Sequence, residues 1–473
     1  MTRSRAAVGV DLGTGSVKVA LVDEQGNVLA KAARPYDLSS PHAGWAETDP
    51  LLWLEATEQA AAEIADQLPG AEGVGFSGQM HGVVVCDANL EPLRPAITWA
   101  DTRSAHEAAA MQVDLGDEVL ARLGSPAVSG FAATSLKWLA NHEPEVLAKA
   151  RFALQPKDWL RARLGGAVVT EPSDASGTLL ADVATGTWDN DAITWLGIDR
   201  KLLPPIVGSG DAAGELTIAG HTLPCVAGAA DTAAAIAGMG LSINEGFSAV
   251  GSGSQTVSVL AEPSGGIARG THLFATAGAP GSGWYRIGAV QNAGIALRRA
   301  LEWFGASPKE ANDALDAGVR PSDPIFVPYV AGERTPFVDA HLRGAWLGLG
   351  LDTDRQALLR SIVEGVAQAV ALGMQAVQDA GAQLPDPLPL IGGGAVDPRF
   401  QQLIADVAQR RLAPTEQPDA AVVGAAHLAL GMSDRRPASV GAIVEPRPES
   451  AELFANRRDH LVEYVRMQLD REG

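Results

Sequence analysis

Asp11 stands two residues before a glycine-rich turn, in the segment GVDLGTGSVKVALV of residues 9–22. Neither of the two best-known phosphate-binding motifs is present here. A P-loop requires a glycine directly before its lysine, and a dinucleotide-binding GxGxxG requires a glycine where Lys18 stands and a helix after it. The apolar alternation after the turn instead predicts a second strand, and therefore a β-hairpin with an aspartate at its mouth.

The side chains and amides of this turn suit a polyphosphate and its metal ion. Gly13, Thr14 and Lys18 can all bind phosphate oxygens. The carboxylate of Asp11 suits Mg²⁺, which is typically held through water as well as through protein oxygens. A structural interpretation stays open for each residue, because an aspartate can bond turn amides and a strand lysine can simply be solvated.

A similar turn recurs in the second half of the chain, where GSGSQTVSVL (251–260) aligns with GTGSVKVALV of the first turn. The first copy has Asp11 where the second copy has Ala249. Two hairpins that face each other across a cleft would hold a polyphosphate from both sides, with Gly251 and Ser252 on the second side. Mg²⁺ would then be served from the first side only.

Asp231 is the only charged residue between Leu216 and Asn244, in the stretch PCVAGAADTAAAIAGMG. One interpretation is structural, because aspartate is a favoured N-cap and TAAAIAGMG is a plausible helix start. The other is a general base at the junction of two lobes, since a helix N-terminus stabilises a carboxylate and no nearby cation in the sequence neutralises it. The two interpretations are compatible.

The segment GFSGQMHGVVV (75–85) places polar side chains between glycines and between two apolar runs. Gln79 and His81 can bind hydroxyl groups, and the flanking glycines let a ligand approach the backbone. We therefore predict a contact to a sugar or polyol, with a structural histidine as the alternative.

Three further segments mark strand–helix corners. WADTRS (99–104) and PKDWLRARLGG (156–166) combine tryptophan with charges of both signs, and buried ion pairs are the favoured interpretation. IGGGAVDP (391–398) is a glycine turn before a helix. It is explained either by tight helix–sheet packing or by a flat face against which adenine and ribose lie.

The elements that must position these residues are those of a layered α/β protein. The hydrophobic periodicity predicts helices over 51–67, 134–150 and 354–380, strands over 73–77 and 82–86, a strand, turn and helix over 388–408, and a surface helix in the tail beyond about 435.

Composition sets limits on the class of protein. With 473 residues, 46% hydrophobic and 19% charged, the chain is expected to fold into about two or three globular domains. The formal net charge of −20 argues against a nucleic-acid partner. No membrane span or signal peptide is expected, and Cys86 and Cys225 lie too far apart to suggest a metal site, so we expect buried thiols in a cytoplasmic protein.

Taken together, these segments resemble the FGGY family of carbohydrate kinases from GVDLGTGSVK to about residue 430. The resemblance implies an α/β protein with the two-domain, duplicated actin/hexokinase-like (ribonuclease H-like) ATPase fold and an active site in the interdomain cleft. It implies an N-terminal lobe over 1–240 and a C-terminal lobe over 241–473. The matching segments are GQMHG (78–82), LRPAITWADTR (93–103), PKDWLRARL (156–164), SDASGT (173–178), PYVAGERTPF (328–337), the stretch 344–364 and LIGGGA (390–395).

The resemblance also implies roles for individual residues. Asp231 matches the proton acceptor, and Asp11 matches the carboxylate at the metal–phosphate centre, with ATP and Mg²⁺ as cofactors. The expected sugar contacts are Gln79, Met80, His81, Asp231 and Thr232. The expected nucleotide contacts are Gly13, Thr14, Lys18, Gly251, Ser252, Gly393, Gly394 and Asp397.

Four positions depart from the pattern of the family members that phosphorylate ketopentoses. Ala100 replaces the usual asparagine of Trp-Asn-Asp, and Thr232 replaces an asparagine that touches the sugar. The second turn is GSGS (251–254) rather than GTSG, and Phe337 replaces a histidine. Thr232 bears most directly on sugar identity.

The expected activity is ATP-dependent phosphorylation of a ketopentose, D-xylulose before others, with an aspartate general base. D-ribulose, another ketose or a polyol is the alternative within the family. Outside it, an actin-like ATPase would couple nucleotide state to partner binding. The expected partners are a small sugar and MgATP, with no nucleic acid and no membrane, and a homodimer is compatible with the sequence.

Overall fold

The protein is built on two mixed β-sheets, one from each half of the chain. The computed structural model describes residues 4–264, 266–416, 419–432 and 441–472. The strands of the first half are β1 (Ala6–Leu12), β2 (Ser16–Asp23), β3 (Val28–Pro35), β4 (Glu47–Thr48), β5 (Val74–Gly78), β6 (Val84–Cys86), β7 (Ala96–Ile97), β8 (Phe152–Leu154), β9 (Ala181–Asp182), β10 (Thr187–Trp188), β11 (Ala212–Ile218), β12 (His221–Val226) and β13 (Ala229–Ala230). Those of the second half are β14 (Gly246–Val250), β15 (Ser254–Leu260), β16 (His272–Ala275), β17 (Trp284–Val290), β18 (Ile325–Val327), β19 (Ala345–Leu347), β20 (Leu388–Ile391) and β21 (Leu412–Pro414).

Helices connect and cover the sheets. Those of the first half are α1 (Pro50–Glu63), α2 (Ala105–Arg122), α3 (Ala132–His142), α4 (Pro144–Lys149), α5 (Pro156–Arg163), α6 (Pro172–Ser176), α7 (Asn190–Leu196) and α8 (Asp231–Met239). Those of the second half are α9 (Gly294–Trp303), α10 (Pro308–Ala314), α11 (Arg355–Asp379), α12 (Pro398–Ala408), α13 (Ala420–Ala429) and α14 (Ala451–Glu472). The helix predicted over 134–150 is therefore two helices, because Pro144 starts a new one.

The two sheets repeat the same local pattern. In the first sheet the order is β11-β12-β5-β1-β2-β3, with β13 beside β5, and in the second it is β16-β17-β15-β14-β20-β21. Each begins with an antiparallel hairpin, β1–β2 or β14–β15, whose first strand has a parallel neighbour, β5 or β20. The predicted duplication and the two predicted hairpins are therefore confirmed.

Helices α8 and α13 cross between the two halves at very close range. A Cβ atom on Gly238 would lie 1.8 Å from the backbone oxygen of Ala420, and one on Gly424 would lie 1.9 Å from that of Ala234. Only glycine permits this backbone approach. Although α13 belongs to the second half of the sequence, its apolar face also packs on the first sheet. The predicted boundary at residue 240 stays a prediction.

The core of the second half surrounds α11. Among the described residues this is the one helix that is long and apolar enough to cross a membrane, but most of it is buried inside the protein. The predicted amphipathic surface helix of the tail is confirmed as α14, most of whose residues are exposed or half-buried. One face docks on this half: Phe454, Leu461 and Val465 are buried, and Arg457 forms a 2.5 Å ion pair with Glu364.

The ion pairs predicted in WADTRS and PKDWLRARLGG are confirmed. Arg103 pairs with Asp101 at 2.7 Å. Lys157 is fully buried and contacts Asp158 at 2.7 Å and Asp174 at 3.0 Å. Since a buried charge requires compensating partners, these residues fix the corners from which the candidate site is built.

Candidate active site

Three neighbouring strands of the first sheet bring Asp11 and Asp231 to one edge. Asp11 of β1 is paired in register with Ser77 of β5, and Ser77 is paired on its other side with Ala229 of β13. All three strands are parallel, so their carboxyl ends meet at the same edge. Adjacent strands are about 4.8 Å apart, and the two aspartates are therefore carried by backbones roughly 10 Å apart.

Asp231 is the first residue of α8, and Ala230 occupies the N-cap position. The predicted N-cap was therefore wrong by one residue. The carboxylate still bonds the helix start: its Oδ1 accepts hydrogen bonds from the backbone N–H of Thr232 at 2.5 Å and from the Thr232 hydroxyl at 3.1 Å. Burial and the charge of Asp11 raise the pKa of Asp231 to about 6, in spite of these two bonds. Such a group is ionised at neutral pH and still basic enough to accept a proton.

Asp11 is held by one donor from the neighbouring strand. The hydroxyl of Ser77 donates to its Oδ1 at 2.9 Å, and its Oδ2 accepts no hydrogen bond from the residues that the structure describes. Burial raises the pKa of Asp11, although Ser77 and Lys18 act in the opposite direction. Lys18 itself lies opposite Asp11 in the hairpin and forms an ion pair with Asp419 at 3.5 Å. Its phosphate contact stays a prediction, and a carboxylate partner already explains its charge.

Polar contacts fix the first turn around Gly13 and Thr14. The carbonyl of Gly13 accepts hydrogen bonds from the Tyr36 hydroxyl and from the Gln79 side-chain amide. The indole N–H of Trp99 donates to the Thr14 hydroxyl at 2.9 Å. Since that hydroxyl is already an acceptor, its own hydrogen points elsewhere and can be donated to a ligand. Gln79 thus links the turn to the predicted sugar-binding segment.

The segment that was predicted to contact a sugar is buried beside Asp231. His81 has φ of 73°, in the left-handed region, and its ring stacks on Phe131 with centroids 3.9 Å apart. Its Nδ1 lies 2.8 Å from the carbonyl oxygen of Gly177. A carbonyl only accepts, so Nδ1 carries the hydrogen and Nε2 is left as an acceptor. Burial lowers the pKa of His81 to about 3, which keeps the ring neutral.

The neighbouring Met80 contacts the second sheet. Its sulfur lies 3.6 Å from the hydroxyl of Tyr285 on β17. The sugar-binding segment of the first half and a strand of the second half therefore meet beside Asp231. Sequence reasoning missed Tyr285, because no motif surrounds it.

The second hairpin is more open than the first. Ser252 is exposed at its tip, and the closest side chain bonded to it is Arg298, whose guanidinium donates at 3.5 Å. Gly251 accepts a backbone hydrogen bond from Gly294 at the start of α9. The predicted phosphate contacts of Gly251 and Ser252 stay predictions, and both residues are accessible to a ligand.

The glycine turn after β20 serves packing and leaves one open position. A Cβ atom on Gly394 would lie 2.9 Å from Val250, whereas one on Gly393 would meet nothing within 4 Å. Asp397 caps α12 through the backbone N–H of Arg399. Tight helix–sheet packing therefore accounts for Gly394 and capping accounts for Asp397, and their predicted nucleotide contacts stay predictions.

Two of the departures from the family pattern lie in packed surroundings. The carboxylate of Asp101, next to Ala100, accepts hydrogen bonds from Ala46 and from Arg103. Phe337 packs edge-on against Tyr329, with ring centroids 5.3 Å apart. Thr232, bonded directly to Asp231, is the departure that lies at the candidate site.

Arg334 of GERTP is a further residue that links the two halves. Its guanidinium donates to the carbonyl oxygen of Trp99 at 3.2 Å and lies over the Trp99 ring, 5.3 Å from its centroid. Trp99 in turn bonds Thr14. The segment PYVAGERTPF was singled out by resemblance, but only the fold shows that its arginine reaches the first turn.

The donor set at Asp11 suits a magnesium ion that is shared with a phosphate. Within the described residues, no group of three or more His, Cys, Asp or Glu side chains could hold a metal ion. Mg²⁺ is commonly bound by only one or two protein carboxylates, while phosphates and waters supply its remaining ligands. The Oδ2 atom of Asp11 could be such a protein ligand. The site thus fits nucleotide-bound Mg²⁺ better than a metal held by protein alone.

A duplicated hairpin frame of this kind, with its two mixed sheets, is the frame of phosphotransferases of the actin/hexokinase class. The comparisons agree. Residues 6–238 match the N-terminal domain and residues 277–432 match the C-terminal domain of the FGGY family of carbohydrate kinases. The chain belongs to this family. It is a carbohydrate kinase, and its substrates are a sugar and ATP.

The relatives point in the same direction. The chain is 33% identical to the xylulose kinase of Bacillus subtilis over 89% of this chain and 87% of that one. It is 32% identical to the xylulose kinase of Escherichia coli, covering 86% and 85% of the two chains. Among solved structures, a xyloylose kinase from Brucella ovis superposes with a TM-score of 0.90 at 31% identity, covering 98% of this chain and all of the other.

Proposed function

We propose that this carbohydrate kinase transfers the terminal phosphoryl group of ATP to D-xylulose, giving D-xylulose 5-phosphate. The names of the relatives from Bacillus subtilis, Escherichia coli and Brucella ovis support this substrate. The observation that carries the chemistry is the half-buried carboxylate of Asp231, with a pKa of about 6, at the strand edge that also presents Asp11 and the first turn.

Asp231 is proposed as the general base. The primary hydroxyl of the sugar donates to Oδ2 of Asp231, which accepts no hydrogen bond from the described residues. Its proton moves to that oxygen as the bond from the hydroxyl oxygen to the γ-phosphorus forms. The bond between the γ-phosphorus and the β,γ-bridging oxygen breaks, and ADP leaves. Such transfer depends on in-line positioning and on charge stabilisation rather than on covalent catalysis.

Neutral donors and acceptors are proposed to hold the sugar. His81 offers Nε2 as an acceptor to a sugar hydroxyl, because its Nδ1 hydrogen is engaged with Gly177. Met80 supplies an apolar contact from the same segment. The burial of Met80 helps exclude water, which would otherwise compete as the phosphoryl acceptor.

The two turns are proposed to bind ATP. Gly13 and Thr14 on one side and Gly251 and Ser252 on the other supply amides and hydroxyls for the phosphates, and the open face at Gly393 suits the adenosine half. Asp11 would hold Mg²⁺, which supplies charge neutralisation at the β- and γ-phosphates.

A panel of sugars at fixed MgATP tests the proposed substrate. Purified protein is assayed by coupled ADP release with D-xylulose, D-ribulose, other ketoses and polyols, and with no sugar. The proposal expects D-xylulose to give the highest kcat/KM and the blank to give little hydrolysis. A higher kcat/KM with D-ribulose or a polyol would assign the alternative within the family. A rate of ATP hydrolysis that is the same with and without every sugar would instead support an actin-like ATPase that couples nucleotide state to partner binding.

A further inference from the structure

The contacts of Thr232 give it a different role from the sugar contact that was predicted for it. We propose that the Thr232 hydroxyl positions the carboxylate of Asp231. The proposal rests on the proposed role of Asp231 as general base. It makes Thr232 a positioning residue, which acts through Asp231 rather than on the sugar.

Both hydrogen bonds that the structure gives Asp231 come from Thr232. The backbone N–H and the hydroxyl of Thr232 converge on Oδ1, whereas Oδ2 accepts no hydrogen bond from the described part of the chain. A carboxylate with one donor can turn about its Cβ–Cγ bond, and two donors on one oxygen restrict that rotation. The pair therefore fixes which oxygen is presented to the cleft.

The Thr232 hydroxyl is sheltered from solvent. Thr232 is only 7% exposed, so its hydroxyl requires a partner, and the partner that the structure gives it is Oδ1 of Asp231. The fully buried Tyr285 of β17 contacts the Met80 sulfur instead, at 3.6 Å from its hydroxyl.

The charged groups around Asp231 constrain how a pH profile is interpreted. The groups that face it are Asp11 on β1 and Tyr285 on β17, and behind Ala230 lie Glu171 and Asp174 of the α6 segment, with Lys157 and Arg161 as their cationic neighbours. Removal of the Thr232 hydroxyl changes none of these charges. A hydrogen bond to a carboxylate stabilises its charged form, so loss of that bond raises the carboxyl pKa.

The test compares Thr232→Val and Thr232→Ser with the unchanged protein. The kcat and KM for D-xylulose are measured from pH 5 to pH 9 at saturating MgATP, so that protonation of the nucleotide is common to all variants. Valine keeps the shape of threonine and the backbone N–H bond, and serine restores the hydroxyl. Thr57→Val is the matched control, since Thr57 is a buried threonine whose hydroxyl bonds the Trp53 carbonyl at 2.7 Å.

The proposal expects Thr232→Val to lower the plateau kcat about tenfold, to raise the acid midpoint by roughly one pH unit, and to leave the sugar KM within about twofold. Serine should restore the profile. Thr57→Val should lower thermal stability and leave the midpoint unchanged.

Two results would overturn the proposal. One is an unchanged acid midpoint in Thr232→Val, and the other is a rise in sugar KM of tenfold or more with an unchanged profile, which would make Thr232 a sugar contact. Asp231→Asn, assayed in parallel, separates this failure from failure of the proposed base. If Asp231→Asn is inactive and Thr232→Val behaves like Thr57→Val, only the positioning role is lost. If Asp231→Asn keeps wild-type kcat, the base assignment is lost with it.

Discussion

The two hairpins have the same backbone frame and different chemistry. In the first, Asp11 faces Lys18 across the strand pair, and in the second, Ala249 faces Gln255. The first turn is tied down by Tyr36, Gln79 and Trp99, whereas the tip of the second is exposed beside Arg298. Duplication therefore supplied the geometry twice, and only one copy carries the carboxylate that suits a metal ion.

This difference predicts different roles for the two halves in the reaction. The first half carries both acids and the segment with His81, and the second half contributes the open turn and Tyr285. Substitutions in the first hairpin are accordingly expected to act on the reaction rate, and those in the second on nucleotide affinity.

The largest effect is expected from loss of the hairpin carboxylate. Asp11→Asn should lower kcat/KM by about 100-fold or more, because stabilisation of phosphate charge by the metal ion is worth several kcal/mol. Steady-state kinetics across a Mg²⁺ titration measure it. Ala249→Asn, at the equivalent place in the second hairpin, is the matched control and should cost much less. Equal losses in the two variants would contradict the proposed asymmetry.

Lowering the pH should lower kcat through protonation of Asp231, which lies in the first half, while the affinity for nucleotide stays the same. Asp231 has a pKa of about 6 and must be ionised to accept a proton, so kcat should fall as pH drops through 6, by about tenfold per pH unit well below it. A kcat–pH profile measures this, alongside ADP affinity over the same range. A flat profile down to pH 5 would contradict the base assignment.

Removal of the His81 ring is expected to weaken sugar binding about tenfold. His81→Ala removes the Nε2 acceptor, and the cost of one hydrogen bond in a buried site is of this size. The sugar KM should rise, and the low rate of ATP hydrolysis without sugar should stay unchanged. His142→Ala is the control, since His142 also stacks on an aromatic ring and contacts a carbonyl oxygen, but is exposed at the end of α3. An unchanged sugar KM in His81→Ala would remove this contact from the account.

The smallest effect on catalysis is expected from a substitution at the contact between α8 and α13. This substitution should lower the stability of the protein. Gly238→Ala forces a Cβ atom against the backbone of Ala420. Such overpacking typically costs about 1–3 kcal/mol, which should lower Tm by about 1–3 °C in a thermal melt of a chain of this length. Gly210→Ala, where a Cβ atom meets nothing within 4 Å, should leave Tm nearly unchanged. Equal Tm values for both variants would contradict the close crossing.

Features with a local pattern could be predicted from the sequence. The apolar alternation on both sides of GTGS and GSGS gave the two hairpins, and the isolated charge of Asp231 marked it as a candidate. The mixed charges around Trp159 indicated the buried ion pairs. In each case the signal lies within about ten residues, where strand and helix periodicity act directly.

Contacts between distant parts of the chain left no such signal. Lys18 meets Asp419, and α13 reaches back to the first sheet over Gly9 and Gly75, where a Cβ atom would strike the helix backbone. These glycines look like any others in the sequence. Tyr285 likewise has no motif around it, and only the fold brings it to Met80.

The most direct test of the account is the turnover of Asp231→Asn at saturating D-xylulose and MgATP, together with its affinity for ADP by calorimetry. Asparagine keeps the size of the side chain and cannot accept the proton. The account predicts a kcat lower by about 100-fold to 10,000-fold with ADP affinity within about twofold of the unchanged protein. Wild-type turnover in this variant would contradict it.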